Sequence, residues 1–180
     1  MEQQVQSQGA ALVTTRSAGI RFGLISALVG IVYFVVLNTL GQDTNEGVWS
    51  WLRYPLTMVF IFLAHKYYKD NTEGYLEYGQ GVSITVWLGL VSSVIGTVFF
   101  YLYIKFIDSS FVEMIKNKQI EKMEEQGMSA EQIDQAMSIA SKFMSPEAMF
   151  GFGLFFGFLG TLVLGLIVGI FTQKKRPVTF

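Results

Sequence analysis

Long apolar segments separated by short polar ones dominate this chain. An apolar helix needs roughly 20 residues to cross about 30 Å of hydrocarbon. Four segments meet or approach that length: 19–40, 48–68, 82–104 and 149–171. The second contains Arg53 and Pro55. Arg53 is compatible with a span because it lies close enough to one end for its guanidinium to reach the headgroups. Pro55 is compatible because it lies in the opening turns, where the missing backbone N–H costs least. The pattern predicts four membrane-spanning helices.

The polar stretch 109–145, between the third and fourth spans, predicts an insert of two short helices separated by Gly127. Ser129 and Gln132 have the spacing of a capping box at the start of the second helix. Ser145-Pro146-Glu147 is typical of the start of a helix, here the last span. The apolar positions of the insert either pack on each other or on the bilayer surface, or form a docking element for a partner or a lipid. The predicted fold class is an all-α integral membrane four-helix bundle with an extracytoplasmic helical hairpin.

Lysine and arginine are distributed unevenly between the span ends, with the largest cluster directly after the last span, at Lys174, Lys175 and Arg176. Because positive charge favours the cytoplasmic side, both termini are predicted to be cytoplasmic. The domain organisation that follows is a cytoplasmic N-terminal segment at 1–18, one four-span membrane domain at 19–171, and a basic cytoplasmic tail at 172–180.

Composition supports the membrane assignment. The 180 residues are 51% hydrophobic and 15% charged, with a mean hydropathy of +0.41, whereas a soluble domain carries about 25% charge. The absence of cysteine and the single histidine exclude disulfides, thiolate metal sites and multi-histidine centres. The net charge of −1 gives no general attraction to nucleic acid.

Small residues recur at intervals of four within three spans. In lipid, such spacing creates a flat stripe along which two helix backbones approach closely. The stripes pack the helices of one subunit together or form a seam with another copy or a partner protein. The predicted helix-packing residues are Gly19, Gly23, Ala27, Gly81, Gly89, Ser93, Thr97, Gly153, Gly157, Gly165 and Gly169.

Few residues are candidates for chemistry. Arg53 and Asp108 form a hypothetical ion pair at the outer boundary, although a snorkelling arginine without a specific partner is the alternative. His65, beside Lys66, is interpreted as an interfacial histidine, because a relay needs an acid or base in line with it. Residues 79–81 are interpreted as a flexible lead-in to the third span. Without a catalytic or nucleotide-binding motif, we expect no enzyme activity, no cofactor and no metal site.

Several landmarks occur together: the loop 69–74, the sequence Tyr-Gly-Gln-Gly at 78–81, the end of the third span at 101–108, and the insert sequences 111–113, 123–129 and 142–146. In these the chain, from about Gly19 to Lys175, resembles the bacterial four-helix membrane family catalogued as domain of unknown function 4199. Ser109 stands where the family resemblance leads us to expect a proline, so we expect the third span to end less sharply. The resemblance implies four spans, a Gram-negative inner-membrane location and no established activity. It also suggests an accessory role beside a polyprenyl-phosphate glycosyltransferase.

Two functions are consistent with these features. The first is a non-enzymatic scaffold or accessory subunit of an envelope or lipid-linked glycan process, acting as a homo-oligomer or with a membrane-protein partner. The alternative is a small oligomeric transporter or channel for a small molecule or ion. A transporter is expected to have polar groups near the midplane, broken helices or inverted repeats. Only Pro55 suggests a break.

Overall fold

The computed structural model describes residues 13–41 and 47–177, and these are almost entirely helical. The helices are α1 (Thr15–Thr39), α2 (Gly47–Asp70), α3 (Tyr78–Leu102, continued by a π-helical turn at Tyr103–Ile107), α4 (Ser110–Glu125), α5 (Ala130–Phe143) and α6 (Pro146–Thr172). Within the described ranges there is no β-strand, only an isolated bridge between Leu76 and Lys174.

Four of these helices are long and apolar enough to cross a membrane: α1, α2, α6, and α3 together with its π-helical turn. The prediction of four spanning helices is confirmed. The second span, α2, has 24 residues and contains Pro55 without interruption. The chain is therefore a multi-pass membrane protein.

Side-chain caps determine where three helices begin. The Thr14 hydroxyl accepts from the Ser17 backbone N–H at the start of α1, at 3.0 Å. At the start of α5, Ser129 accepts from the Gln132 N–H, and the Gln132 side chain accepts from the Ser129 N–H. The predicted capping box is thus confirmed. The predicted start of the last span is also confirmed, since α6 begins at Pro146 and Ser145 accepts from the Ala148 N–H.

The end of α3 differs from an ordinary α-helical stop. Its last turn, Tyr103–Ile107, is π-helical, and the Asp108 N–H donates to the Tyr103 carbonyl over 2.9 Å. The Ser110 hydroxyl then donates to the Asp108 carboxylate at 2.6 Å, directly before α4. The chain turns from α3 into α4 over two residues without a proline.

The described residues form two compact units. The first comprises those up to Ser92 and those from Phe158 onward, and its core brings together α1, α2, the first part of α3 and the last part of α6. Its most enclosed apolar side chains are Ala18, Ile61, Ala64, Leu76, Ile84 and Leu88.

The second unit is Ser93–Gly157, which includes the last part of α3, α4, α5 and the first part of α6. Phe111 of α4 is buried, and its ring makes edge contacts with Phe100 and Tyr103. Ile133 of α5 is also buried. Gly127, in the turn between α4 and α5, has a φ of +76°, a conformation that favours glycine.

Candidate functional site

The first unit encloses an ionisable side chain, that of His65 in α2, which is 0% exposed. Nδ1 lies 2.7 Å from the Thr172 hydroxyl at the end of α6. Nε2 lies 2.9 Å from the Gly81 carbonyl in the first turn of α3. One imidazole therefore joins three membrane-length helices through hydrogen bonds.

The partners determine where the protons of this imidazole lie. A carbonyl can only accept, so Nε2 carries a hydrogen and donates to Gly81. The Thr172 hydroxyl has one proton and two acceptors within reach, His65 Nδ1 at 2.7 Å and the Val168 carbonyl at 2.9 Å. With a neutral ring, Thr172 donates to Nδ1. With a charged ring, Nδ1 donates to Thr172, which donates to Val168. The site can therefore hold either form without leaving a ring nitrogen unpaired.

A second hydroxyl, that of Thr85, lies beside the same ring. Thr85 Oγ1 donates to the Gly81 carbonyl over 3.1 Å and is 3.5 Å from His65 Nε2. Gly81 allows this approach because it has no side chain: a Cβ there would lie 3.2 Å from His65 Cε1. We call His65, Gly81, Thr85 and Thr172 the histidine cluster.

Charged and backbone groups surround the end of α6 next to the histidine cluster. Lys69 donates to the Thr172 carbonyl over 3.1 Å, which places a cation at the negative end of the helix. Beyond it, Leu76 and Lys174 exchange two backbone hydrogen bonds of 3.0 and 2.8 Å. Arg176 forms a 3.0 Å ion pair with Glu73. The loop before α3 and the segment after α6 are thereby held together.

Two arginines of α1 lie over aromatic rings of neighbouring helices in the first unit. Arg21 donates to the Tyr67 hydroxyl over 2.9 Å and lies 4.6 Å from the centre of that ring. Arg16 lies 4.8 Å from the Trp87 ring. Such cation–π contacts stabilise a charge close to an apolar surface. These pairs could not be predicted from the sequence, because the partners are far apart along the chain.

The small residues of the first unit lie where helices approach each other. A Cβ on Gly19 would lie 2.5 Å from the Ile84 carbonyl oxygen, and one on Gly23 would lie 2.9 Å from the Leu88 carbonyl oxygen. Between α3 and α6, Gly89 faces Thr161 at 3.2 Å, Gly165 faces Thr85, and Gly169 faces Tyr78 at 3.2 Å, each distance again measured from a built Cβ. Ala27 is 5% exposed.

In the second unit, the same pair of helices places glycines opposite hydroxyl-bearing residues. A Cβ on Gly153 would lie 3.3 Å from the Thr97 methyl group, and one on Gly157 would lie 3.3 Å from the Ser93 hydroxyl. Ser93 and Thr97 are both buried. Close helix contact with short polar side chains is typical of packing in membranes.

The structure gives Arg53 and Asp108 local partners. The Arg53 guanidinium lies 5.5 Å from the Tyr54 ring, and the Asp108 carboxylate accepts from Ser110. The ion pair between Arg53 and Asp108 stays a prediction.

One interpretation from the sequence needs correction. Residues 79–81 are not a flexible lead-in, because α3 begins at Tyr78 and the Gln80 side chain accepts from the Glu77 N–H over 2.9 Å. His65 is fully enclosed by the protein, which its interpretation as an interfacial histidine did not anticipate. The predicted span 48–68 already placed His65, an ionisable residue, inside a helix of spanning length. This placement could have indicated a buried side chain.

Within the described ranges, no three His, Asp or Glu residues are grouped closely enough to hold a metal ion.

The chain was compared with known proteins and with family models. No curated protein and no solved structure matches the chain. A family model described as "Protein of unknown function (DUF4199)" matches residues 21–174, which is most of the sequence. The chain therefore belongs to the DUF4199 family.

Proposed function

We propose that this protein is a non-enzymatic scaffold or accessory subunit of the bacterial inner membrane. The proposal rests on the hydrogen bonding of the buried polar side chains. Within residues 13–41 and 47–177, every buried side-chain nitrogen or oxygen has a hydrogen-bond partner. His65 bonds to Thr172, and all three of His65, Thr85 and Thr172 bond to helix carbonyls. Groups engaged in this way stabilise the helices and are not available to a substrate.

If the buried polar groups are structural, the protein acts through contacts made by its outward-facing surfaces. On α1, Leu28 and Val32 are 62% and 61% exposed, whereas Gly19 and Gly23 on the opposite face pack against α3. An apolar helix face of this kind contacts lipid or another membrane protein. The polyprenyl-phosphate glycosyltransferase suggested by the family resemblance is the first partner to test.

Photocrosslinking from this face tests the scaffold proposal. A benzophenone amino acid at Leu28 or Val32 is expected to crosslink a second protein in native membranes. The matched control is the same amino acid at Phe60, which is 9% exposed and part of the core. Crosslinks only to lipid from both exposed positions would argue against a protein partner on this face.

We also propose that both termini are cytoplasmic. Support comes from the cations near the histidine cluster, such as Lys66 and Lys69 at the end of α2 and Lys174 and Lys175 after α6. Because the chain has no cysteine, each introduced cysteine is unique. Gln126→Cys, between α4 and α5, is expected to react with a membrane-impermeant maleimide on intact spheroplasts. Lys175→Cys is expected to react only after permeabilisation, and the reverse pattern would invert the topology.

The alternative, a small transporter or channel, is favoured by one observation. His65 is an ionisable side chain enclosed within a helix of spanning length, and such groups commonly mark ion or proton pathways. Reconstitution in liposomes separates the two functions. A proton or solute flux that the wild type supports and His65→Gln abolishes would establish transport and replace the scaffold proposal. Equal, background-level flux for both proteins is expected if the histidine cluster is structural.

A further inference from the structure

The second unit contains an open apolar groove of about 540 Å³. It lies between the end of α5 and the first turns of α6, and it is lined by Lys142, Phe143, Ala148, Gly151, Phe152, Phe155 and Phe156. This volume is within the roughly 300–1,000 Å³ that small-molecule sites occupy. Among the lining residues, Lys142 alone is charged.

Four phenylalanine rings form the apolar part of this groove. Phe143 of α5 lies 5.9 Å from Phe152, and Phe152 lies 6.1 Å from Phe156, as measured between ring centres. Phe155 makes an edge contact with Phe156 at 5.2 Å. All four side chains are more than two-fifths exposed. The rings therefore pack side by side and still offer a continuous outer surface.

This surface extends beyond the membrane-length helix. Phe152, Phe155 and Phe156 belong to α6, which has the length and composition of a span, so their exposed faces meet acyl chains. Phe143 belongs to α5, outside any span, and Ile139 one turn earlier is 61% exposed. The lipid-contacting surface of α6 is thus continuous with one side of α5. That continuity favours a lipid as the occupant.

The charge at the groove favours an anionic lipid. Lys142 lies four residues before the first residue of α6, at the level where a span reaches the headgroups. The nearest acid along the chain, Glu147, does not line the groove and accepts a hydrogen bond from Tyr101. A lysine ammonium at this depth attracts a phosphate through its charge.

We propose that the groove binds one anionic phospholipid of the surrounding bilayer. The Lys142 ammonium contacts the phosphate, and one acyl chain lies along Phe152 and Phe156. The proposal concerns α5 and α6 and is independent of the scaffold function.

Native mass spectrometry of the full chain in detergent tests the headgroup contact. Delipidated protein is titrated with phosphatidylglycerol and with phosphatidylcholine of the same acyl chains. We expect phosphatidylglycerol to bind about fivefold more tightly, the difference that one lysine near an anionic headgroup gives. Lys142→Gln is expected to remove that preference. The matched control, Lys175→Gln, loses the same charge at an exposed position after α6 and is expected to retain it.

A second pair of variants tests the groove itself. Gly151 lines the groove, and a Cβ built on it meets no described heavy atom within 4 Å, so Gly151→Leu introduces a side chain into the groove from an open position. Gly160, on the same helix, is equally open and does not line the groove. Gly151→Leu is expected to lower the binding of both lipids at least severalfold, and Gly160→Leu to leave it unchanged. Equal thermal unfolding midpoints establish that the variants are folded.

Two results would overturn the proposal. The first is a phosphatidylglycerol preference that survives Lys142→Gln together with lipid binding that Gly151→Leu leaves unchanged. The second is a dimer that Gly151→Leu dissociates while lipid binding stays constant, because the groove would then be occupied by a second copy of the chain.

Discussion

Thr85 of α3 occupies the space directly in front of the Gly165 backbone in α6. A Cβ built on Gly165 would lie 2.5 Å from Thr85 Oγ1 and 2.6 Å from Thr85 Cβ, and it would overlap the Thr85 methyl group as well. Thr85 is itself held by its hydrogen bond to Gly81, so it cannot rotate away without losing a partner. This pair determines how closely the two helices approach beside the histidine cluster.

Gly165→Ala is therefore expected to destabilise the protein. Overpacking of a well-filled interior costs about 1–3 kcal/mol, which exceeds the gain of up to about 1 kcal/mol from alanine in a helix. The free energy of unfolding in mixed detergent micelles measures the loss. Gly160→Ala, on the same helix with open space around it, is the control and is expected to be neutral or stabilising. Adding Thr85→Ala to Gly165→Ala is expected to recover stability, and simple additivity of the two changes would argue against the contact.

Gly19→Ala tests the contact between α1 and α3. The added Cβ would lie 2.5 Å from the Ile84 carbonyl oxygen, and a backbone atom cannot move aside as a side chain can. The two helices must separate, so we expect a loss of about 1–3 kcal/mol in the free energy of unfolding. Gly30→Ala, also on α1, meets nothing described within 4 Å and is the matched control. Equal stability of the two variants would contradict the packing described for Gly19.

The periodicity of small residues could be recognised in the sequence because it is local. Gly165 stood out within α6 through four-residue spacing, as Gly81 and Gly89 did within α3. The pairing of Gly165 with Thr85 could not be predicted, because spacing along one helix does not say which helix lies opposite or in what register. Gly160, which also lies in α6 but has open space around it, shows that glycine alone does not mark a contact.

The surroundings of His65 were beyond sequence reasoning for a similar reason. Its neighbours in the chain, Lys66 and the two tyrosines after it, are typical of a membrane interface. The side chain is enclosed by residues that are 16 and 107 positions away, Gly81 and Thr172. Only tertiary packing brings these together. The flexible interpretation of residues 79–81 failed for the same reason, since the helical start at Tyr78 depends on contacts that glycine content does not reveal.

Thr172→Val tests the hydrogen bond from Thr172 to His65. Valine keeps the shape of threonine and removes the hydroxyl, so a buried ring nitrogen loses its partner on α6. Leaving such a group unpaired costs about 1–3 kcal/mol. Thr172→Ser retains the hydroxyl and is expected to lose less, although it removes a methyl group. Unfolding in detergent distinguishes the two, and a valine variant as stable as the serine variant would show that the hydroxyl contributes little.

The ion pair between Glu73 and Arg176 is expected to contribute almost nothing. Both side chains are largely exposed, at 68% and 59%, and solvent-exposed pairs are worth about 0–1 kcal/mol. The adjacent backbone pairing of Leu76 with Lys174 holds the segment after α6 through two further hydrogen bonds. Glu73→Gln is expected to change the unfolding midpoint no more than Glu77→Gln in the same loop. A clear loss specific to Glu73→Gln would indicate that the pair holds the segment after α6 in place.

The cap at Ser129 is expected to control local stability at the start of α5. Ser129→Ala removes the acceptor for the Gln132 N–H, which lies 3.3 Å from the hydroxyl. Loss of such a cap costs about 1 kcal/mol, so hydrogen exchange at the Gln132 amide is expected to accelerate about fivefold. Ser138→Ala is the control, because the Ser138 hydroxyl bonds to the Gln135 carbonyl within the helix and caps nothing. Similar exchange rates in both variants would mean that α5 is held at this end by its buried Ile133 and not by the cap.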